Sequence, residues 1–362
     1  MRVLHIVGTM DLGGLENFIM NLYRNINRKQ VQFDFVVHNQ EENYYEKEIH
    51  ELGGIVHRVS SKKKSMIKNL IEMYNLFVNN SYDVIHIHTN SATCLTDIFI
   101  AKLCKIKHII VHSHSTNTRK NKTLIHKVFK STMNRLTNYK FACSDKAAEW
   151  LFGERITDVN IINNAIDINR YLYNQEIANQ YRKTYGINDN TLFLGHIGNF
   201  SVAKNHMFLI DIFQSVLEIN INSKLILVGH GQLQKEVIDK VENLGLSEHV
   251  IFAGLRQDIP EILSAVDVLL FPSLYEGFPV TLVEAQASGL KCVTSDTITQ
   301  QVILTDLVVQ LSLKESPNRW AEKLISNAEK YERKNTYQEI KNKGFDVKEE
   351  AKRIQNFYLE LD

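Results

Sequence analysis

The feature that most restricts how this chain can fold is a repeated alternation. Short apolar runs with little polar interruption are followed by stretches of helical period. RVLHIVG, VQFDFVVH, IVHRVS, DVIHIH, HIIVHSH, YKFACS and VNIINNAI succeed one another in the first half of the chain. Runs of this kind mark strands buried on both faces of a parallel sheet, where helices cover both sides. The segment after the first run sets Leu15, Phe18, Ile19, Leu22, Tyr23 and Ile26 on one helical face. After a polar stretch the alternation restarts with TLFLGHIGN and continues through SKLILVGHG, VIFAGL, VDVLLF, KCVTSD and VVQLS. Two such series predict two Rossmann-like, doubly wound α/β domains, over residues 1–170 and 171–346.

Composition agrees with that division. The chain has 362 residues, 44% of them hydrophobic and 23% charged, which leaves room for two cores. A formal net charge of +1 gives no general attraction to nucleic acid, so none is expected as a partner. Cys94, Cys104, Cys143 and Cys292 are scattered in apolar settings without CxxC spacing and read as reduced core residues. The opening residues are too short and too polar for a leader peptide, and no apolar run spans a bilayer. A cytoplasmic protein is expected.

The chemistry concentrates in FPSLYEGFPVTLVEAQASGLKCVTSD, residues 271–296. Pro272 stops a strand; Pro279, expected at the first helical position, and Gly289 bracket a short helix. The loop therefore lies at a carboxyl strand end, where open α/β sheets bind ligands and a helix start favours anions. Glu276 and Glu284 flank that start. Carboxylates do not neutralise a phosphate, but they accept hydrogen bonds from hydroxyls. Backbone for phosphate and acids for hydroxyls together point to a nucleotide sugar.

Glu276 and Glu284, with Gly-Phe-Pro after the first and Glu-Ala-x-Ala-x-Gly at the second, resemble the donor-site signature of glycosyltransferase family 4. The resemblance implies a GT-B fold, two Rossmann-like domains facing a central cleft, with the helix at 347–362 packing back on the first. It also implies a retaining enzyme that moves a hexose or N-acetylhexosamine from a UDP-linked sugar to a glycan or lipid-linked glycan. Capsular polysaccharide, exopolysaccharide and O-antigen assembly are the processes it points to. By the same resemblance, Glu276 holds sugar hydroxyls as a catalytic residue, Gly277, Phe278, Pro279 and Val280 shape the loop near sugar and phosphate, and Glu284 takes the ribose. Gly198-Asn199-x4-Lys204 resembles the family's Gly-Arg-x4-Lys segment, so Lys204 is assigned the diphosphate, with Asn199 standing where an arginine is usual. His230, in Gly229-His230-Gly231, and Arg256 are the nearest substitutes for that missing cation.

The first domain contributes less specific signals. Gly13 and Gly14 join the first strand to the first helix; they form either a tight turn served by Glu16 or the family's loop near the donor phosphates. The spacing is not GxGxxG and no acid ends the second strand, so a nicotinamide cofactor is not expected. His86 and His88 share one strand face, as do His112 and His114. Zinc would require the two strand ends to converge on one tetrahedron, and no local Asp or Glu completes either pair, so no metal is expected. The resemblance places His114 as the second catalytic residue, facing the sugar; the other three stay unassigned. The basic stretch 119–136, with the lysines of 62–68, is either a surface for anionic membrane or a core helix with a solvated basic side. A nucleotide-sugar epimerase of the same fold and a non-catalytic nucleotide-sugar-binding subunit are the rival readings.

Overall fold

The computed structural model describes residues 1–114, 120–154, 156–328 and 331–361. It forms two compact units, Met1–Ala165 with Asp346–Asp362, and Ile166–Phe345. All thirteen expected strands form. In the first unit β1 (Arg2–Ile6), β2 (Gln32–Val37), β3 (Val56–Arg58), β4 (Val84–Thr89), β5 (His108–Ser113), β6 (Tyr139–Ala142) and β7 (Val159–Ile161) make a sheet of order β3-β2-β1-β4-β5-β6-β7. In the second, β8 (Leu192–Ile197), β9 (Ser223–Val228), β10 (Val250–Gly254), β11 (Val268–Phe271), β12 (Lys291–Ser295) and β13 (Val308–Leu311) run in the order β10-β9-β8-β11-β12-β13. Every pairing is parallel. Strand order reverses between β1 and β4 and again between β8 and β11, so each sheet has one switch point, the place where open α/β sheets bind ligands.

Period-two alternation divides each strand between two cores. Phe33, Phe35 and Val37 of β2 pack with Phe18, Ile19 and Tyr23, while Val36 packs on the opposite face with Met73, Phe77 and Ile98. The second sheet is likewise covered on both faces. The helix Val347–Leu359 returns to the first core: Val347, Ala351, Ile354 and Tyr358, spaced four, three and four apart, are all buried there. Asp346 caps it, accepting from the Lys348 and Glu349 amides at 2.8 and 3.2 Å. The division falls at 165/166 rather than after 170, because Ile166 and Ile168 are buried in the second unit's core.

Candidate functional site

In the second unit the loops leaving β8 and β11 are tied together at the switch point. The Leu274 amide donates to the Ala203 carbonyl at 2.8 Å, and Asn205 Nδ2 donates to the Pro272 carbonyl at 3.1 Å. Asn205 takes the left-handed conformation (φ 56°), which asparagine tolerates, and so turns a short 3₁₀ segment, Val202–Lys204, into the helix His206–Ile219. This geometry aims Lys204 across the gap. Its Nζ lies 2.6 Å from Glu276 Oε1 and 4.7 Å from the centre of the Phe271 ring. Both side chains are 14% exposed, so most of the pair is shielded from water. Gly198 makes room for it, since a Cβ there would lie 2.9 Å from Lys204 Cε.

The helix Val280–Ala287 follows Glu276 closely and has, among the described residues, no side-chain cap. Pro279 precedes it instead of opening it: its ψ of 91° is outside the helical range, and Val280 is the first helical residue. One turn in, Glu284 accepts a 2.7 Å hydrogen bond from Tyr171 Oη. Burial pushes the Glu284 carboxyl above its ordinary range, opposed by the tyrosine hydroxyl. Phe278 stacks on Phe345 at 5.5 Å, which fixes the wall of the loop. Buried Gln286 holds the helix from behind, accepting from the Leu304 and Thr305 amides and donating to the Val302 carbonyl.

The glycine loops of β8 and β9 lie backbone on backbone. Gly229 has φ +141°, and a Cβ on it would stand 2.1 Å from the Gly198 carbonyl oxygen. The Gly229 amide in turn donates to the Gly254 carbonyl at 2.9 Å. Among the described residues, neither substitute cation contacts the Lys204 pair. Arg256 is exposed and held by Asp258, with Nε 2.8 Å from Oδ1, and His230 is exposed. Asn199 is exposed as well, its Oδ1 accepting from Ser201 Oγ at 3.0 Å. Two neighbours went unnoticed in the sequence. His196 and His206 are buried; burial and the nearby Lys204 charge lower both, His206 to about 4. His196 Nδ1 meets the Leu270 carbonyl at 2.9 Å, joining β8 to β11.

The switch point of the first unit has a different content. The loop after β1 is pinned by buried Asn43, whose Oδ1 accepts from Thr9 Oγ1, the Met10 amide and Asn39 Nδ2 at 2.8 to 2.9 Å. Gly13 is the N-cap of the helix Gly14–Asn25, and Glu16 folds back over it, where a Cβ would meet its carboxylate at 2.2 Å. The turn reading of these glycines is thus present in the structure.

The histidine pairs, treated separately in the sequence, come together. β4 and β5 are neighbours in a register that sets His88 opposite His112, and β1 adds His5 opposite His86. Five imidazoles form a ladder: His5 Nδ1 to His88 Nε2 at 2.9 Å, His88 Nδ1 to His114 Nε2 at 2.8 Å, and His86 Nε2 to His112 Nδ1 at 3.1 Å. His86 Nδ1 meets Tyr358 Oη of the returning helix at 2.6 Å. Burial holds all five well below the usual imidazole range, His114 at about 3. The convergence of the two strand ends, which a metal would require, is thus present in the structure. Ser115, Thr116 and Arg119, and the side chains of Lys120, Lys122, Leu124 and Ile125, lie outside the described residues. The four cysteines are free, Cys104 partly exposed and the others buried. Among the described residues no helix is long and apolar enough to cross a membrane.

Comparison with known proteins assigns this architecture to a class. Residues 12–170 match glycosyltransferase family 4, and residues 178–345 match the glycosyl transferases group 1 family. EpsF of Bacillus subtilis (strain 168), named as a glycosyltransferase, is 32% identical over 371 residues, covering 99% of this chain and 96% of EpsF. The chain belongs to glycosyltransferase family 4 and is a glycosyltransferase of GT-B fold. It is also similar to the UDP-Gal:alpha-D-GlcNAc-diphosphoundecaprenol alpha-1,3-galactosyltransferase of Escherichia coli, 26% identical over 64% of this chain and 62% of that enzyme. Anabaena HepE, solved with UDP and glucose, shares the fold at a TM-score of 0.81 and 18% identity, covering 99% of this chain and 100% of HepE.

Proposed function

We propose that this glycosyltransferase moves a hexose or N-acetylhexosamine, with retention, from a UDP-sugar to a lipid-linked or other glycan acceptor in surface-polysaccharide assembly. The observation that carries the reading is the Lys204–Glu276 pair at the β8/β11 switch point, beside an uncapped helix start and one turn from Glu284. Phosphate oxygens and sugar hydroxyls match those groups one for one. A donor diphosphate takes Lys204 and the helix amides, and Glu276, released from the lysine, accepts from the sugar hydroxyls. Glu284 with Tyr171 receives the ribose. UDP is supported by the printed donor of the Escherichia coli relative and the ligand of HepE, and the acceptor by the former's diphosphoundecaprenol. The assembly process is supported by relatives such as the capsular polysaccharide enzyme CapH of Staphylococcus aureus, 23% identical over 82% of this chain and 81% of CapH.

A same-face single displacement needs no dedicated base, since the departing phosphate takes the acceptor proton; the protein orients the reactants and stabilises developing charge. His114 is assigned to the sugar, Gly13 and Gly14 to the phosphate side, and transfer is metal-independent. Activity lost to EDTA and regained with magnesium refutes the last point. A thermal-shift screen of UDP, GDP and ADP sugars tests the donor, because a ligand at 100 times its dissociation constant adds about 2.7 kcal/mol. The expected result is a shift with UDP sugars alone. Acceptor-dependent transfer then excludes the epimerase and the inactive binding subunit.

We also assign the first unit to an anionic membrane surface. Ile67, Ile71, Tyr74 and Val78 form an exposed stripe on the helix Met66–Asn79, next to Lys63, Lys64 and Lys68, and Val128 and Phe129 are exposed beside Lys127. Absence of sedimentation with anionic liposomes at low salt removes this assignment.

A further inference from the structure

We propose that His88, His112 and His114 form a binding site for one divalent transition-metal ion of the zinc, nickel and copper class. The proposal stands on the geometry of the first unit; because it uses His114, which the reading above assigns to the sugar, it concerns the protein without bound donor. The three residues each offer a ring nitrogen, and these nitrogens lie within 4.8 Å of one another. They come from the ends of two adjacent strands in fixed register, so the backbone prearranges them.

The hydrogen bonding around two of the three rings, His88 and His112, has the pattern of a metal site; His114 Nδ1 has no partner among the described residues. A ligating histidine is held in one tautomer by a hydrogen bond at its other nitrogen. His88 Nε2 is engaged by His5 Nδ1 at 2.9 Å, and His112 Nδ1 by His86 Nε2 at 3.1 Å, with His86 anchored in turn on Tyr358 Oη. That leaves His88 Nδ1 and His112 Nε2 to turn to an ion. His112 is fully buried, and among the described residues its Nε2 has no hydrogen-bond partner, a cost that a cation removes. His88 Nδ1 and His114 Nε2, now 2.8 Å apart, share a proton. Tetrahedral zinc with bonds of 2.0 to 2.1 Å separates its nitrogens by about 3.3 Å, so replacing that proton opens the pair by roughly half an ångström. With His88 donating from Nε2 to His5, the shared proton belongs to His114 Nε2; on metal binding it moves to His114 Nδ1, and no redox partner is needed. His88 and His114 are partly exposed, which provides entry and leaves a fourth position for water. Three imidazoles without a carboxylate favour zinc, nickel or copper over magnesium or calcium.

The test uses untagged full-length protein, stripped with a chelator and titrated with zinc chloride by calorimetry, and with cobalt(II) by visible absorption. The expected result is one equivalent bound with a dissociation constant on the order of 1 µM or tighter, and a strong four-coordinate cobalt spectrum. His88→Asn and His114→Asn each weaken binding by about 100-fold or more, while His50→Asn, at an exposed helix position, leaves it unchanged. Thermal unfolding of each variant establishes that it folds; His114, at the partly exposed strand end, is the substitution most easily accommodated. Absence of saturable uptake overturns the proposal, as does uptake that survives both substitutions or a weak six-coordinate cobalt spectrum.

Discussion

Where strand order reverses, the first sheet packs five neutral imidazoles and the second holds a lysine–glutamate pair. The winding is the same in both; the side chains give the two positions opposite electrostatics. Rings kept neutral by burial bond to one another and stabilise the sheet only while they stay unprotonated. The Lys204–Glu276 pair, 14% exposed at each end, is the contact that the proposed donor has to part. One architecture thus provides a pH-sensitive scaffold in one half and, in the other, the ion pair proposed to meet the donor.

Acid gives the largest separation between the two halves. Folded-state values of the ladder histidines lie below the unfolded value near 6.5, so the unfolded chain binds more protons, and stability, complete above that pH, falls as pH drops through it. At pH 5.5 each such histidine costs about 1.4 kcal/mol relative to alkaline pH, and the first unit has five in its ladder against His196 and His206 in the second. Trp150 and Trp320 lie one in each unit. Fluorescence of Trp320→Phe, which reports the first unit, is expected to change at higher pH than that of Trp150→Phe. Coincident or reversed transitions break the comparison.

The receptor half is expected to respond in activity. Lys204→Ala and Glu276→Ala each lower kcat/KM by about 100-fold, the loss of a charge-assisted contact worth about 3 kcal/mol, without moving the Trp150 unfolding signal. A residual rate above one tenth of the parent's would show that the pair is structural. Tyr358→Phe is the converse case. Leaving His86 Nδ1 unsatisfied destabilises the first unit by about 1 to 2 kcal/mol in urea unfolding, with donor affinity unchanged. Smallest is Tyr171→Phe, which removes one hydrogen bond from Glu284 and raises the donor KM severalfold, about 1 kcal/mol. An unchanged KM there would separate Glu284 from ribose recognition.

The strands were legible because parallel strands buried on both faces read as unbroken apolar runs, and the loop 272–279 because Pro272 and Gly289 punctuate it. What escaped depends on register. His5 is a single polar residue in an apolar run; only pairing with β4 sets it beside His86. Lys204 and Glu276 are 72 positions apart, and their contact follows from β8 and β11 being neighbours, an adjacency that each strand's own pattern does not encode. His196, His206 and Asn43 look like ordinary strand, helix and loop residues until the loops close over them. Pro279 was misplaced by one position because a proline fixes φ but leaves ψ free.

The returning helix has a consequence for how the chain is made. Its buried face, Val347 to Tyr358, belongs to the first core, yet the ribosome delivers it only after all of residues 166–345. At about 5 to 20 residues per second, the first sheet waits roughly ten seconds or more with Phe33 and His86 lacking the cover that Tyr358 supplies. The second unit, contiguous in sequence, has no such delay. The half synthesised first is therefore finished last, and nascent-chain chaperones are expected to act on it during that interval.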